Sequence, residues 1–299
     1  NQYINTKGLL YNYNIFLKNP SSYASNSSNF RENGNYDLYG TLKLDGSMPL
    51  SKQLDNYTHF LKPIASFRYS PNGNKDITSK DILLNYDNVF SLNRIGVSDQ
   101  VEGGDALSMG LEFKRTNING FDIFDFKIAN VFKSKENIKL PTKSKLNQTR
   151  SDIFGSLKYN LSNNLKIGYD FSYDRDLDHS NLDGLYVDIN LNNIFTDFYY
   201  YTTDNDLGEN ETISNNTVIK INDESSLKFN TTKDLIDDFT EYYDLMYSYI
   251  TDCISINFNY NKSFYRDGNL KPNESLSFLI KIIPFTELGV PNIGKLINK

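Results

Sequence analysis

The sequence predicts an all-β protein, a transmembrane antiparallel outer-membrane β-barrel, on three observations. First, apolar and polar residues alternate at period two in segment after segment. Ile254, Ile256, Phe258 and Tyr260 alternate with Ser255, Asn257 and Asn259; Leu276, Phe278, Ile280 and Ile282 alternate with Ser275, Ser277 and Lys281. A period of two puts successive side chains on opposite faces of a strand, so each segment has one wet face and one apolar face. Second, the segments are joined alternately by very short turns and by longer polar loops, the asymmetry of outer-membrane barrels. Third, no run of ~18 or more apolar residues occurs, so nothing reads as a membrane helix.

Composition agrees with strands wetted on one side. Hydrophobic residues make up only 38% and Trp is absent, yet there are 22 Tyr and 20 Phe. The mean hydropathy of -0.53 would suit a disordered chain, but disorder goes with few aromatics. A net charge of -6 argues against a nucleic-acid partner. The most basic stretch, Lys133 to Arg150, is spaced along a loop and reads as a solvated surface. The chain opens on Asn1-Gln2-Tyr3-Ile4, already strand-like, so it reads as a processed chain or an internal piece, with residues 1–299 as one β-barrel domain.

Element by element, Tyr3 to Lys18 reads as a strand carrying Leu9, Tyr11, Tyr13, Ile15 and Leu17 on one face. Ser21 to Asn35 is a Ser/Asn-rich loop without regular structure. Tyr36 to Met48 and Tyr57 to Tyr69 are strands, the second interrupted by Pro63, which fits only a strand end or bulge. Pro71 to Val101 is irregular, with short helical turns around Asp81 to Phe90. Ala106 to Lys114 and Phe121 to Phe132 form a hairpin across Asn119-Gly120. Ile153 to Leu161 turns at Ser162-Asn163-Asn164 into Leu165 to Tyr173, with Lys166, Asp170, Ser172 and Asp174 on the polar side. Strands over Leu185 to Leu191, Ile194 to Thr203, Thr217 to Asn222, Ser226 to Thr231 and Phe239 to Ile250 precede the closing hairpin. This gives about 14 strands of about 9–14 residues, long enough to span a bilayer. The clusters Tyr199-Tyr200-Tyr201 and Tyr242-Tyr243 fit either an interfacial girdle or ordinary strand ends.

Reactive chemistry is sparse. His59 and His179 have no ligand spacing around them, and the acidic run Asp174, Asp176, Asp178 and Asp183 lacks the Gly and terminal Glu of a calcium loop. No catalytic, metal-binding or cofactor-binding residue is assigned, and the chain reads as non-enzymatic. The single cysteine, Cys253, excludes an internal disulfide.

Several segments, in one order, resemble the LptD family of outer-membrane lipopolysaccharide-assembly proteins. They are Tyr57-Thr58-His59-Phe60-Leu61-Lys62-Pro63, Phe67-Arg68-Tyr69-Ser70-Pro71, and Leu92-Asn93-Arg94-Ile95-Gly96-Val97-Ser98-Asp99-Gln100-Val101 ahead of Met109-Gly110-Leu111-Glu112-Phe113. Tyr249-Ile250-Thr251-Asp252-Cys253 and Ser263-Phe264-Tyr265-Arg266-Asp267 continue the pattern. The resemblance implies the C-terminal half of a barrel of roughly 26 strands, without the periplasmic jellyroll and first barrel strands. It implies export of lipopolysaccharide into the outer leaflet of a Gram-negative outer membrane through a lateral gate. The implied gate strand holds Ser275, Leu276, Phe278, Ile280, Ile282 and Phe285. The implied partners are the lipoprotein plug LptE, the periplasmic Lpt bridge and the barrel assembly machinery. Cys253 would pair with a jellyroll cysteine, or else stay a free thiol. The loop with Arg94, Gly96, Asp99 and Gln100 either folds into the lumen against LptE or caps a strand. A self-contained smaller channel for small or hydrophobic solutes is the alternative function.

Overall fold

Alternating sequence of this kind pairs its backbone only as a ladder, and the computed structural model contains 19 strands, one four-residue helix and one 3-10 turn among the described residues. The described residues are 2–5, 8–23, 25, 35–80, 82–97, 99–204, 208–264, 272–282 and 286–290. Seventeen strands belong to one sheet, and every register given below is antiparallel. The chain divides into two compact units: residues 1–158, 170–183 and 204–208 in the first, the remainder in the second.

In the first unit, β1 (Gln2–Ile4) and β2 (Leu10–Lys18) form a hairpin with Ile4 opposite Leu10. The single strand expected over Tyr3 to Lys18 is therefore two. The break comes where Asn5 Oδ1 accepts from Leu9 N at 2.9 Å and Gly8 adopts φ +80°. β3 (Ser21–Ser22) and β4 (Asn35–Tyr36) make a two-residue ribbon inside the loop expected to lack structure. β5 (Tyr39–Ser47) lies between β2 and β7 (Tyr57–Ser70). β6 (Leu50–Gln53) pairs with the other end of β7. Pro63 sits at the seam where β5 hands over to β6; it has no N–H to give there, and its carbonyl accepts from Met48 N at 3.1 Å. β8 (Gly104–Asn117) follows, and turns at Gly120, φ +80°, into β9 (Asp122–Phe132).

Apolar side chains line one face of this ladder: Ile15 opposite Leu42, Leu42 opposite Tyr69, Leu44 opposite Phe67 and Phe67 opposite Leu107. They are exposed, Ile15 at 71%. The opposite face holds Thr41, Lys43, Ser66, Arg68 and Ser108, all buried, Arg68 at 4%. A sheet that exposes its apolar residues and buries its charged ones is inside out for water and right for lipid.

The hydrophobic core of this unit is supplied by two loops, residues 71–103 and 133–152. Ile77, Ile82, Leu84, Tyr86, Val89 and Ile95 from the first meet Leu140 and Leu146 from the second over Ala106, Ala129, Val131 and Phe154. The first loop carries α1 (Tyr86–Val89) inside the segment expected to form helical turns. Asn85 caps it reciprocally with Asn88, a capping box that fixes where one turn of helix starts. In the second, Ser144 and Lys145 both hold left-handed backbone, φ 57° and 50°, costing roughly 1–2 kcal/mol each. The Ser144 hydroxyl compensates by accepting from Leu84 N at 3.0 Å. The expectation that Lys133 to Arg150 is a solvated surface holds for Lys135 and Lys139, which are exposed, but not for the stretch as a whole. Leu140, Leu146 and Ser144 are fully buried, because the loop's lysine finds an anion in the other loop.

β10 (Ile153–Ser162), β11 (Leu165–Tyr173) and β12 (Ser180–Leu191) lead on in chain order. Here glycines face aromatic rings. A Cβ at Gly155 would lie 2.2 Å from Lys127 O and 2.8 Å from the Phe171 ring, at Gly168 1.8 Å from the Tyr186 ring, and at Gly184 2.9 Å from Tyr199 Oη. Each ring occupies the space a side chain would need, so only glycine fits beneath it.

The second unit contains a meander of β13 (Ile194–Thr203), β14 (Asn210–Lys220), β15 (Ser225–Asp234), β16 (Phe239–Ile250), β17 (Ile254–Ser263), β18 (Asn273–Ile282) and β19 (Thr286–Val290). β14 and β15 are longer than expected. Ser275 to Phe285 is not the last strand: β19 pairs beyond it, along Phe278–Ile282, and Phe285 lies outside the described residues. One face carries Phe229, Leu245, Tyr260 and Leu276 in register across four strands.

Candidate functional site

The functional surface of such a sheet is its polar face, and in the first unit that face is organised by one carboxylate. Glu102, 2% exposed, receives Arg68 Nη1 and Arg94 Nε at 2.6 Å each and Lys133 Nζ at 2.9 Å. Arg94 Nη2 adds a second bond at 2.7 Å, so the guanidinium grips both carboxylate oxygens, and its Nη1 donates to Ser108 at 3.1 Å. The four groups come from β7, the C-terminal part of the first loop and the start of the second. Burial alone would raise the Glu102 carboxyl, but Arg94, Lys133 and Arg68 together hold it well below the usual carboxylate range. Burial lowers the Lys133 ammonium, against the pull of Glu102. Three cations on one anion leave an excess of positive charge in a dry place, so the carboxylate is the member the cluster cannot lose.

The predicted loop residues separate accordingly. Arg94 and Gln100 are buried, whereas Gly96, with φ +64°, and Asp99 are exposed. Arg94 packs on the polar face, where it bonds Ser108 in β8.

The first unit also has a cavity of about 620 Å³. Asn12, Asn14, Lys43, Asp45, Lys62 and Glu112 line it from the strands, and Tyr86, Asp87 and Phe90 from α1 and its C-terminal end. Lys43 meets Asp45 at 2.7 Å and Lys62 meets Glu112 at 3.3 Å. Tyr86 Oη donates to Glu112 Oε1 at 3.0 Å; burial and that carboxylate push the tyrosine hydroxyl far up, so it remains a donor. Sequence reasoning missed this cavity, whose walls come from six segments without a shared motif.

In the second unit the polar face is a row across six strands: Asp197, Asn216, Asn230, Asp244, Asn261 and Ser275, each directly opposite the next. Asn216 donates to Asp197 at 2.6 Å and Asn230 to Asp244 at 3.1 Å. Alternation also splits the tyrosine clusters. Tyr199 and Tyr201, stacked at 5.9 Å, share the face of Asp197, whereas Tyr243 packs on Phe229 at 6.3 Å on the apolar face. Cys253 is exposed in the turn before β17. Among the described residues no group of three or more His, Cys, Asp or Glu could hold a metal.

An antiparallel sheet with an exposed apolar face and a charged, hydrogen-bonded opposite face defines an outer-membrane β-barrel protein. The family profile described as "LptD: LPS transport system D" matches residues 8–232. The chain belongs to this family, whose business is lipopolysaccharide transport and whose place is the outer membrane. Cys253 and β18 lie beyond the matched segment. Among solved structures, a mutant of Rh. blastica porin is similar at 11% identity, 93% of this chain, 92% of that one and TM-score 0.41. A triple mutant of Rhodopseudomonas blastica porin is similar at 10% identity with the same coverage and TM-score. No curated protein matches the sequence.

Proposed function

We propose that this chain is part of the wall along which lipopolysaccharide crosses the outer membrane of a Gram-negative cell and enters the outer leaflet through a lateral gate. The observation that carries the reading is the family match over residues 8–232. The gate runs along β18, with Ser275, Leu276, Phe278, Ile280 and Ile282. In support, among the described residues β19 pairs with the Phe278–Ile282 end of that strand, so fewer ladder bonds hold that side of it. An LptE plug bears on the exposed Gly96 and Asp99. The periplasmic Lpt bridge delivers through a jellyroll joined to this barrel by Cys253, whose thiol is accessible to a partner. The barrel assembly machinery inserts the sheet.

Depletion of the protein in its own cells tests the reading. Surface lipopolysaccharide, measured by whole-cell labelling, is expected to fall and to return with the wild-type chain; unchanged surface lipopolysaccharide refutes it. A photocrosslinker at Phe278 is expected to capture lipopolysaccharide, and one at Leu42, on the apolar face of the first unit, is not.

A further inference from the structure

We propose that the cavity beneath α1 binds an uncharged saccharide segment. The lining carries three lysines, Lys43, Lys62 and Lys127, and three carboxylates, Asp45, Asp87 and Glu112, so it has no net charge. Two of each are matched as ion pairs. A phosphate or other anionic group entering there would gain from each lysine what it lost to the neighbouring carboxylate. Hydroxyls meet no such conflict. An ammonium in an ion pair keeps spare N–H donors, and a carboxylate keeps spare lone pairs. Each pair therefore shows a donor and an acceptor side by side, the spacing that adjacent sugar hydroxyls match.

Two further features point to a ligand. Asn12 Oδ1 is buried on the wall with no hydrogen-bond partner among the described residues, an acceptor waiting for an O–H. Phe90 and Tyr86, whose rings meet edge to face at 5.6 Å on the lining, give an apolar floor for the C–H face of a sugar ring. That floor is fixed in advance: a Cβ at Gly110 would lie 2.6 Å from Phe90 Cζ, so the ring is seated directly on the β8 backbone. The volume lies within the range of small-molecule sites.

Only the source of the sugar, lipid-linked or free, rests on the transport reading. The full chain, refolded in detergent, is titrated with maltohexaose and with glucose 6-phosphate, followed by saturation-transfer NMR and equilibrium dialysis. Saturable binding of maltohexaose is expected, at least fivefold tighter than the phosphosugar. Asn12→Leu is expected to weaken it tenfold or more; Asp87→Asn, at an exposed position on α1, is expected to weaken it severalfold with the fold intact. Absence of saturable binding, tighter binding of the phosphosugar, or unchanged affinity in Asp87→Asn overturns the proposal. Competition by intact lipopolysaccharide against its delipidated polysaccharide identifies the source, since only a lipid-linked sugar favours the first. If lipopolysaccharide still reaches the surface in cells whose purified protein binds no saccharide, this inference fails and the transport reading stands.

Discussion

Neutralising Glu102 is the most informative perturbation of this fold. In Glu102→Gln the side chain keeps its length and two hydrogen-bonding atoms but loses the charge that Arg68, Arg94 and Lys133 share at 2.6–2.9 Å. Their side chains are 4%, 0% and 5% exposed, so water cannot replace it. Removing one partner from a buried pair costs ~3–5 kcal/mol, and here three cations are stranded together. Lys133 offers partial relief, because burial already favours its neutral form. A loss of about 3–4 kcal/mol in local stability corresponds to roughly 10²–10³-fold faster exchange of the amides of the two loops. Hydrogen exchange at Ile77, Ile95, Val101 and Leu146 reads this directly. The same reasoning makes Lys133→Met mild, since Glu102 keeps two arginines and the cluster's excess positive charge falls. Equal loop protection in Glu102→Gln and the wild type, or greater damage from Lys133→Met than from Glu102→Gln, would refute the argument. Acid should mimic the first substitution. The folded Glu102 pKa is depressed, so its stabilisation is present above the ordinary glutamate range and is lost as pH falls through the folded value.

Four other outcomes follow from packing and exposure. Gly155→Ala puts a Cβ 2.2 Å from Lys127 O, which is backbone and cannot step aside, so urea unfolding should show a loss of about 1–3 kcal/mol. Gly46→Ala, whose nearest neighbour is Ala65 O at 4.0 Å, should be close to silent in the same measurement. Phe258→Arg, on the exposed apolar face, should cost ~2–4 kcal/mol for folding into lipid vesicles; equal folding yields for variant and wild type would show that this face does not meet lipid. Cys253 should react with a polar maleimide in the folded chain, and non-reducing gels of the full-length protein should show a mobility shift that disappears in Cys253→Ser.

Strands were legible where each face is chemically pure. Ile254 to Tyr260 and Leu165 to Tyr173 needed only their alternation. Alternation alone cuts β14 and β15 short because Asn215 and Asn216, and Thr232 and Lys233, put polar groups on both faces. Those groups are satisfied across strands: Asn215 donates to Thr196 Oγ1 and Asp197 O at 3.0 Å, and Ser214 pairs with Thr232 at 2.9 Å. Such bonds stabilise a ladder but erase the period-two signal. The loop around Arg94 stood out by resemblance, but its partners could not be read: Arg68, Glu102 and Lys133 are brought together only when both loops fold onto β7 to β9. A lysine that looks solvated in a basic run is buried for the same reason.

Where the first unit puts its core decides what its polar face can do. A sheet that gives its apolar side to lipid has only polar residues left for the other side, and ordinarily no dry core forms there. This chain makes room for one by interrupting its own pattern. On β8 and β9 the polar face carries Ser108 opposite Val131 and Gly110 opposite Ala129, small or apolar groups where charges would otherwise stand. The two loops fill that gap with Val89, Leu140 and Leu146, and the Glu102 cluster pins them down. Anything polar inserted between these loops would have to displace a packed core and a desolvated ion cluster. Deleting residues 71–103 would consequently not widen a passage; it would leave Arg68 and Lys133 without their anion and uncover Ala129 and Val131.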